Sequence, residues 1–233
     1  MLILVPSPLS QTDAQLPLLH SDLERVRQCA VWLVETPKVA RAALKLFNMP
    51  VAIHELELYS IATTSEQELI KLLSESSKLK PIGLISDAGC PAIADPGAIA
   101  VQIAHKLKIT VYPLVGPSSI ILGLMGSGLN GQNFQFLGYP PVETQERKQW
   151  IQQRETISQA ENSTQIAIET PYRNQKLFES FLHTLRPSTL LCVGSDLTGS
   201  HMRILTKTTQ EWKSYNLQLD KTPTLFLWLA TNK

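Results

Sequence analysis

Three short loops rich in Gly, Pro, Ser and Asp contain the residues best suited to chemistry. VPSPLSQ spans Val5–Gln11, SDAGCPAIADPG spans Ser86–Gly97 and VGPSSI spans Val115–Ile120, and each follows an apolar run. Ligands of open α/β sheets usually bind at loops that leave the carboxyl ends of strands. We therefore expect these loops to hold a ligand mainly through backbone groups. The alternative is that each loop is only a rigid connector between a strand and a helix.

The second loop is the most informative of the three. Gly89 favours a positive φ and lets a ligand approach the backbone closely. Asp95 is predicted to be the N-cap of a helix whose first residue is Pro96. Amides at such a strand-to-helix turn can bind a carboxylate or a ribose hydroxyl, although the turn can also exist without a ligand. Three residues of that helix are expected to point inward: Ile99, Ile103 and Leu107.

The remaining motifs follow other apolar runs. Ser118 and Ser119 place hydroxyl groups at the start of a helix, where Ser118 either binds a ligand or only caps the helix. This third loop is neither GxGxxG nor a P-loop, so it does not support a phosphate site. Glu169 and Arg173 lie four residues apart, a spacing typical of a surface or structural ion pair. Three motifs end runs in the second half: GYPP at 138–141, ETPYR at 169–173 and SDLTG at 195–199.

Signatures of other catalytic classes are absent from the sequence. It contains no GxSxG and no HExxH, and Cys29, Cys90 and Cys192 have no metal-ligand spacing, so we expect neither a metal nor a disulfide framework. The pattern identifies no catalytic acid or base. Methyl transfer from a sulfonium cofactor needs little acid–base equipment, because the cofactor carries the reactive group and the protein aligns it. Loops with few titratable groups suit that chemistry.

The apolar periodicity predicts how these loops are positioned. Strand-like runs alternate with amphipathic stretches such as Ser65–Leu79, where Ser65 and Glu68 form a capping box and Leu69, Leu72 and Leu73 share a face. This alternation favours an α/β fold with a parallel or mixed sheet covered on both faces. The strands of the first half are predicted at Leu2–Val5, Ala30–Val34, Val51–Leu58, Ile82–Ile85 and Thr110–Leu114.

The second half has fewer helices per strand, which indicates an α+β domain. A cluster of glycines separates the halves, and we predict two domains, 1–117 and 118–233. The second domain is predicted to contain strands at Phe134–Leu137, Gln165–Ile168, Leu190–Val193, Met202–Thr206 and Thr224–Ala230, with helices at Glu143–Gln159 and Arg173–Leu185.

The composition sets only wide limits on function. The chain has 233 residues and a net charge of +1, which neither requires nor excludes a nucleic-acid partner. Its apolar start is too short for a signal peptide or a membrane span, and no other stretch is long enough. We therefore expect a cytoplasmic protein with no membrane partner.

The second loop closely resembles a known signature. SDAGCPAIADPG matches nine of the twelve residues of SDAGTPLISDPG, which is typical of the ribosomal RNA small-subunit methyltransferase I family. That family 2′-O-methylates a cytidine ribose in 16S RNA and is part of the tetrapyrrole methylase superfamily. The other motifs are similar in the same order: VPSPL to VPTPIGN, VGPSSI to PGP-(S/C)-A-A-I, GYPP to GFLP, ETPYR to ESPHR and SDLTG to RELTK.

The resemblance implies a class III methyltransferase fold. Such a protein has two α/β domains, binds S-adenosylmethionine in the interdomain cleft and is usually a homodimer. Ribosomal RNA or the small subunit is then the expected partner. Aligning the motifs places ten residues at the cofactor: Leu9, Ala88, Gly89, Cys90, Ile93, Ser118, Ser119, Glu169, Leu197 and Thr198.

Departures from the family pattern fall on the side expected to face the acceptor. The family's acidic EDTR segment is replaced by VETPKVAR, in which a helix is predicted to begin at Thr36-Pro37. Glu35, Lys38 and Arg41 are its approximate counterparts, and Gly199 replaces a basic residue. Three functions therefore stay open: an RNA ribose methyltransferase, a methyltransferase for a tetrapyrrole or another small acceptor, and a catalytically silent cofactor-binding paralogue.

Overall fold

The computed structural model describes residues 1–10, 18–76, 80–219 and 221–231. The chain divides into two compact units, Met1–Ser118 and Ser119–Lys233, each built around a five-stranded sheet. Gln11, at the end of the first loop, lies outside the described residues, as do residues 77–79 at the end of the predicted helix Ser65–Leu79. No helix among the described residues is long and apolar enough to cross a membrane.

The first unit contains a fully parallel sheet with the strand order β3-β2-β4-β1-β5. Because all five strands run the same way, the loops that follow them leave from one edge of the sheet. The predicted α/β class and the predicted parallel pairing are confirmed. The strands are β1 at Leu2–Leu4, β2 at Val31–Val34, β3 at Glu57–Ser60, β4 at Ile82–Ile85 and β5 at Val111–Pro113.

Apolar side chains cover both faces of this sheet. Ile3 packs into a cluster with Trp32 and Phe47, whereas its neighbour Leu2 packs with Leu69 and Ile103 on the other face. Neighbouring residues of a strand point to opposite faces, so every central strand must be apolar throughout. The helices are α1 at His20–Arg27, α2 at Pro37–Leu46, α3 at Glu66–Ser76 and α4 at Ala98–Lys106.

The start of α3 has the predicted capping box. The Ser65 backbone N and Oγ donate to Glu68 Oε2 at 2.9 and 2.7 Å, and Glu68 N donates to Ser65 Oγ at 3.3 Å. Leu69 and Leu73 are fully buried, while Leu72 is partly buried at the margin of the same cluster.

The structure corrects the predicted strand at Val51–Leu58. Ile53–Glu55 forms a 3₁₀ turn, and the strand begins only at Glu57. Ile53 and Leu56 still pack against the apolar cluster around Trp32. The apolar run therefore predicted correctly that Leu56 is buried and Ile53 partly buried, but it did not predict their backbone conformation. A short buried turn and a short buried strand have the same apolar pattern.

The predicted start of α4 is wrong by two residues. Gly97, not Asp95, is the N-cap, and the helix begins at Ala98. Asp95 Oδ1 instead accepts a hydrogen bond from Gly97 N at 2.6 Å, which closes a tight turn before the helix. Ile99, predicted to point inward, is exposed in the first turn of this helix, while Ala100, Ile103 and Ala104 are buried.

The second unit has a mixed sheet with the order β6-β7-β10-β8-β9, in which only β6 and β7 pair in parallel. The carboxyl ends of β6, β7 and β8 therefore share one edge with the amino end of β10. The strands are β6 at Phe134–Phe136, β7 at Thr164–Glu169, β8 at Leu190–Ser195, β9 at Arg203–Thr208 and β10 at Thr224–Leu229.

Aromatic side chains fill the core of the second unit. Phe181, Trp212, Phe226 and Trp228 are fully buried in one cluster. The helices are α5 at Ser119–Ser127, α6 at Thr144–Glu161, α7 at Asn174–Thr184 and the short α8 at Thr209–Lys213, and a 3₁₀ turn at Pro171–Arg173 precedes α7.

Candidate functional site

The loops after β1 and β4 are joined into one structure. Ser7 N donates to Gly89 O at 2.9 Å and Gly89 N donates to Ser7 O at 3.2 Å, which makes an isolated antiparallel bridge. The buried Ser7 Oγ also donates to Ser86 O at 2.7 Å. Two loops that are 79 residues apart in sequence are thus held in a fixed relation by three hydrogen bonds.

The loop after β5 packs against the other two. A Cβ built on Gly116 would lie 2.3 Å from the Pro6 side chain, so only glycine fits there. Cys90 Sγ lies 3.3 Å from Pro117 O, within the range of a thiol hydrogen bond. Because β4, β1 and β5 are neighbours in the sheet, the three loops form one continuous surface at its carboxyl edge.

Gly89 lies at the centre of this surface with a φ of 69°, which confirms the predicted positive φ. A Cβ at Gly89 would meet Leu9 Cδ2 at 3.1 Å and Pro117 O at 3.4 Å. The neighbouring Ala88 is exposed. The structure therefore brings together four predicted cofactor residues, Leu9, Ala88, Gly89 and Cys90, from two loops.

The second loop also has an unusual backbone. Ala92 and Ala94 have φ values of 67° and 62°, in the left-handed region that residues with a Cβ rarely adopt. Each such residue costs about 1 to 2 kcal/mol, and such strain is concentrated at ligand sites. The predicted cofactor residue Ile93 lies between them and is 50% exposed, so the loop holds an apolar side chain in solvent.

The segment after β2 is bonded to the second loop through Asp87. Thr36 N and Thr36 Oγ1 donate to the two oxygens of the Asp87 carboxylate at 3.0 and 2.8 Å. Asp87 N donates in turn to Glu35 Oε2 at 3.0 Å, and Ser60 Oγ donates to Glu35 O at 3.1 Å. We call the reciprocal bonding of Glu35, Thr36 and Asp87 the β2–β4 clamp.

The sequence analysis missed Thr36 and Asp87 as site residues. It placed Glu35 on the acceptor side, yet the Glu35 carboxylate binds the backbone of the loop expected to hold the cofactor. A signal for the clamp was present, since Thr36 and Asp87 each lie two positions after the end of a predicted strand. Only the adjacency of β2 and β4 shows that the two meet.

Carboxylates give this edge a partly desolvated negative charge. Burial raises the pKa of Glu35, and the charges of Asp87 and Asp95 raise it further, against the lowering effect of the Asp87 amide. Burial likewise raises the pKa of Asp95, although backbone amides of its own turn oppose the shift. Negative charge that solvent screens only in part favours a cationic group nearby.

Lys38 and Arg41 lie on the first turns of α2, whose N-cap is Thr36 and whose first residue is Pro37, as predicted. Both side chains are exposed on one face of the helix. Neither forms an ion pair with another residue in the described part of the chain. This face therefore presents two cations next to the β2–β4 clamp.

In the second unit, Glu169 ends β7 and its side chain is only 4% exposed. Its Oε1 accepts hydrogen bonds from Arg173 Nη2 and Thr170 N, both at 2.6 Å. The predicted Glu169–Arg173 ion pair is confirmed. Because this carboxylate oxygen already holds its own turn together, Glu169 has a clear structural role beside any contact with a cofactor.

The turn after β8 explains one departure from the family pattern. Asp196 Oδ2 accepts a hydrogen bond from His201 N at 2.9 Å, and Gly199 N donates to Asp196 O at 2.8 Å. A Cβ at Gly199 would lie 2.2 Å from Asp196 Oδ1. The carboxylate thus occupies the space that a basic side chain would need. In the same turn Leu197 is buried, whereas Thr198 is exposed with a φ of 72°.

Ser118 directly precedes α5 and Ser119 is its first residue; both are partly exposed.

A cavity of about 400 Å³ lies along α3 and contains none of the predicted site residues. It is lined by Tyr59, Thr63, Thr64, Glu68, Lys71, Leu72 and Glu75. Within the described ranges, no group of three His, Cys, Asp or Glu side chains is placed to hold a metal.

Comparison with known proteins confirms the resemblance read from the motifs. No protein-family model matches the chain. The chain is 33% identical over 134 residues to the ribosomal RNA small subunit methyltransferase I of Hydrogenobaculum sp., covering 58% of this chain and 56% of that protein. It is 27% identical over 225 residues to the protein of that name from Helicobacter pylori, covering 91% and 73%.

The fold is also that of a solved methyltransferase. The uroporphyrin-III C-methyltransferase of Thermus thermophilus matches with a TM-score of 0.53 at 14% identity, over 98% of this chain and 91% of that one. The chain therefore has the two-domain fold of the tetrapyrrole methyltransferases. In several of the sequence alignments it spans only about half the length of the curated relative.

Proposed function

We propose that this protein is an S-adenosylmethionine-dependent methyltransferase that modifies RNA of the small ribosomal subunit, with a ribose 2′-hydroxyl as the acceptor. The observation that supports the proposal is that three signature loops meet at the carboxyl edge of one parallel sheet: the Ser7–Gly89 bridge joins the first two, and the third packs against them at Pro6 and Cys90. The curated relatives named ribosomal RNA small subunit methyltransferase I support the choice of acceptor.

The residues at this edge fit the proposed cofactor. The exposed Ala88 adjoins Gly89, which has no side chain and a positive φ, and Leu9 adds an apolar contact beside them. The cofactor supplies a methyl group activated by a sulfonium. The partly desolvated carboxylates Glu35 and Asp95 favour that positive charge. The proposal extends to the other aligned residues: Ala88, Cys90, Ile93, Ser118, Ser119, Glu169, Leu197 and Thr198.

The protein contributes to the reaction mainly by aligning the acceptor oxygen with the methyl group. The acceptor oxygen forms a bond to the methyl carbon as the carbon–sulfur bond breaks, and the acceptor proton leaves to water or to a nearby base. The fixed loops orient the reacting groups, which lowers the barrier because the entropy of bringing the groups together is lost on binding rather than in the transition state. We assign no residue as the catalytic base.

Lys38 and Arg41 are proposed to bind the acceptor. Cations that contact phosphates fix the register of a nucleic acid without reading its sequence. Their exposed position on α2, next to the β2–β4 clamp, places them beside the loop assigned to the cofactor. We further propose that the protein acts in the cytoplasm as a homodimer, which rests on the family resemblance.

A second candidate function is methylation of a tetrapyrrole or another small acceptor. The fold shared with a uroporphyrin-III methyltransferase favours it. A catalytically silent paralogue, in which the cofactor binds without transfer, is the third. It is motivated by the altered segment around Glu35 and by Gly199 in place of a basic residue.

Transfer of a radiolabelled methyl group from S-adenosylmethionine distinguishes the three. The full chain is incubated in parallel with small ribosomal subunits that lack the modification, with the corresponding free RNA, and with a uroporphyrinogen. We expect label in the RNA of the first sample. Label only in the tetrapyrrole supports the second function. Calorimetric binding of S-adenosylhomocysteine with no transfer to any acceptor supports the third.

A further inference from the structure

Two tyrosines of the second unit are exposed to solvent at the sheet edge where the proposed cofactor residues Glu169, Leu197 and Thr198 also lie. Tyr139 follows β6 and is 55% exposed, and Tyr172 follows β7 and is 79% exposed. Because β6 and β7 are neighbouring parallel strands, both rings leave the sheet at the same edge. Glu169 ends one of these strands.

The backbone that carries Tyr172 is rigid. Pro171 precedes it in a 3₁₀ turn, and Arg173 N donates to Thr170 O at 2.9 Å. The Arg173–Glu169 ion pair, at 2.6 Å, ties the same turn to the end of β7. This exposed ring is therefore presented by a turn with few conformations, which reduces the entropy lost when a partner binds.

Tyr139 is fixed in a similar way. It lies between Gly138, whose O accepts a hydrogen bond from Ile168 N at 3.0 Å, and the buried Pro140. The guanidinium of Arg147, a residue only 5% exposed, donates to Val142 O at 2.7 Å and to Pro141 O at 3.4 Å. A buried cation thus holds the turn that displays this ring.

A cation lies over one of the two exposed rings. Lys221 Nζ lies 5.1 Å from the centre of the Tyr172 ring, and Asn174 Nδ2 donates to Thr222 O at 2.7 Å, which fixes the segment next to Lys221. Lys176 is exposed on the first turn of α7. Two carboxylates at this edge of the sheet are already engaged: Glu169, at the end of β7, by Arg173, and Asp196, directly after β8, by His201 N.

We infer that Tyr139, Tyr172 and Lys221 form a platform on which unpaired bases of an RNA acceptor stack. We call these three residues the tyrosine platform. Rigid aromatic rings beside a cation are suited to binding single-stranded RNA, since the rings stack on bases and the ammonium group contacts a phosphate. The inference rests on the proposed RNA acceptor and adds the surface that holds its bases.

Charge favours RNA over a second copy of the chain. An ammonium group over an exposed ring would have to be desolvated in a protein interface, whereas a phosphate pairs with it directly. Glu169 ends β7 three residues before Tyr172, and Leu197 and Thr198 follow β8, whose carboxyl end lies at the same edge of the sheet.

The test measures binding of a fluorescein-labelled single-stranded RNA of about twelve nucleotides to the full chain saturated with S-adenosylhomocysteine. Tyr172→Ala is expected to weaken binding about 5- to 150-fold, the range for loss of one stacked base. Tyr172→Phe keeps the ring and is expected to bind like the wild type.

Lys221→Ala is expected to lower the slope of log affinity against log salt concentration by about 0.7, because one phosphate contact is lost. Phe134→Ala removes a 40% exposed aromatic ring at the other end of β6 and serves as the matched control.

Several results would overturn the platform. One is wild-type affinity in Tyr172→Ala and Tyr139→Ala while the protein still methylates ribosomal RNA; the proposed function would then stand without it. Another is a fall in molecular mass by light scattering in Tyr172→Ala, which would assign the surface to contact between copies. Failure of the wild type to bind the probe would also reject the platform. Absence of methyl transfer to RNA, measured separately, rejects the proposed function.

Discussion

The Asp87 carboxylate accepts two hydrogen bonds from Thr36, one from its backbone N at 3.0 Å and one from its Oγ1 at 2.8 Å. These residues follow the neighbouring parallel strands β4 and β2, and the Asp87 amide returns a bond to Glu35. The segment proposed to face the acceptor and the loop proposed to hold the cofactor are therefore mechanically coupled. A substitution in the β2–β4 clamp itself is therefore expected to alter the loop proposed to hold the cofactor.

Removing the Thr36 hydroxyl tests this coupling. Thr36→Val deletes the bond to Asp87 Oδ2 but retains the backbone bond and the shape of the side chain. A hydrogen bond to a charged group contributes about 1.5 to 3 kcal/mol, of which only part reaches the ligand. We expect the Kd for S-adenosylhomocysteine, measured by calorimetry, to rise about 3- to 10-fold. Thr36→Ser should restore it, and equal affinity in all three proteins would show that the clamp does not position the loop.

Gly89→Val should abolish cofactor binding in a protein that still folds. The substitution forces a β-branched residue into a φ of 69° and places its Cβ 3.1 Å from Leu9. Gly128→Val is a matched control, because Gly128 has the same φ of 69° but nothing within 4 Å of its added Cβ. We expect calorimetry to detect binding in the control only. Normal binding in Gly89→Val would mean that the cofactor lies elsewhere.

Lys38→Ala combined with Arg41→Ala should slow methyl transfer to RNA without changing cofactor affinity. Both cations are exposed on α2, so their loss removes attraction for phosphates and should lower the salt dependence of RNA binding. Lys71→Ala with Lys213→Ala removes the same charge from other exposed positions and serves as the control. A parallel loss of cofactor affinity would instead place this helix in the cofactor site.

Alkylation of Cys90 offers a chemical test of the proposed cofactor site. Burial raises the pKa of Cys29 to about 12 and that of Cys192 to about 11, so neither thiol is reactive in the folded protein. Cys90 is only partly buried, and burial raises its pKa as well. We expect iodoacetamide to modify Cys90 alone, faster as the pH rises because the thiolate reacts.

S-adenosylhomocysteine should slow this reaction several-fold if it covers the second loop. Peptide mass spectrometry locates the modified cysteine, and Cys90→Ser is the negative control. An alkylation rate that does not change at saturating ligand would contradict the assignment of Cys90 to the cofactor site.

Glu35→Gln should stabilise the protein more at pH 7 than at pH 4, relative to the wild type. The folded-state pKa of Glu35 is raised, mainly by burial, so the native state binds its proton more tightly than the unfolded chain does. Stability from this group is therefore present below its ordinary pKa and is lost as the pH rises through the folded value. Glutamine does not ionise, so the variant does not lose this stability as the pH rises. The partly exposed site limits the effect to less than about 1 kcal/mol, and thermal unfolding at both pH values measures it.

Much of the local structure was accessible from the sequence. Ile82–Ile85 was predicted with its observed bounds, the Ser65–Glu68 capping box forms, and Gly89 has the predicted positive φ. These features depend on residues close together in the chain: apolar periodicity, a side chain three residues from its partner, and the steric freedom of glycine. The roles assigned to the cofactor residues come from the resemblance and stay predictions.

The tertiary structure determines which segments that are distant in sequence come into contact. Asp-Pro-Gly commonly begins a helix, which predicts Asp95 as the N-cap, but its carboxylate closes a turn to Gly97 instead. Thr36 and Asp87 are 51 residues apart, and no periodicity links them. They meet only because β2 and β4 pair in parallel, which brings the ends of both strands to the same edge. Local patterns encode local conformation, whereas strand order, set by how whole faces of the sheet are buried, selects which loops share a surface.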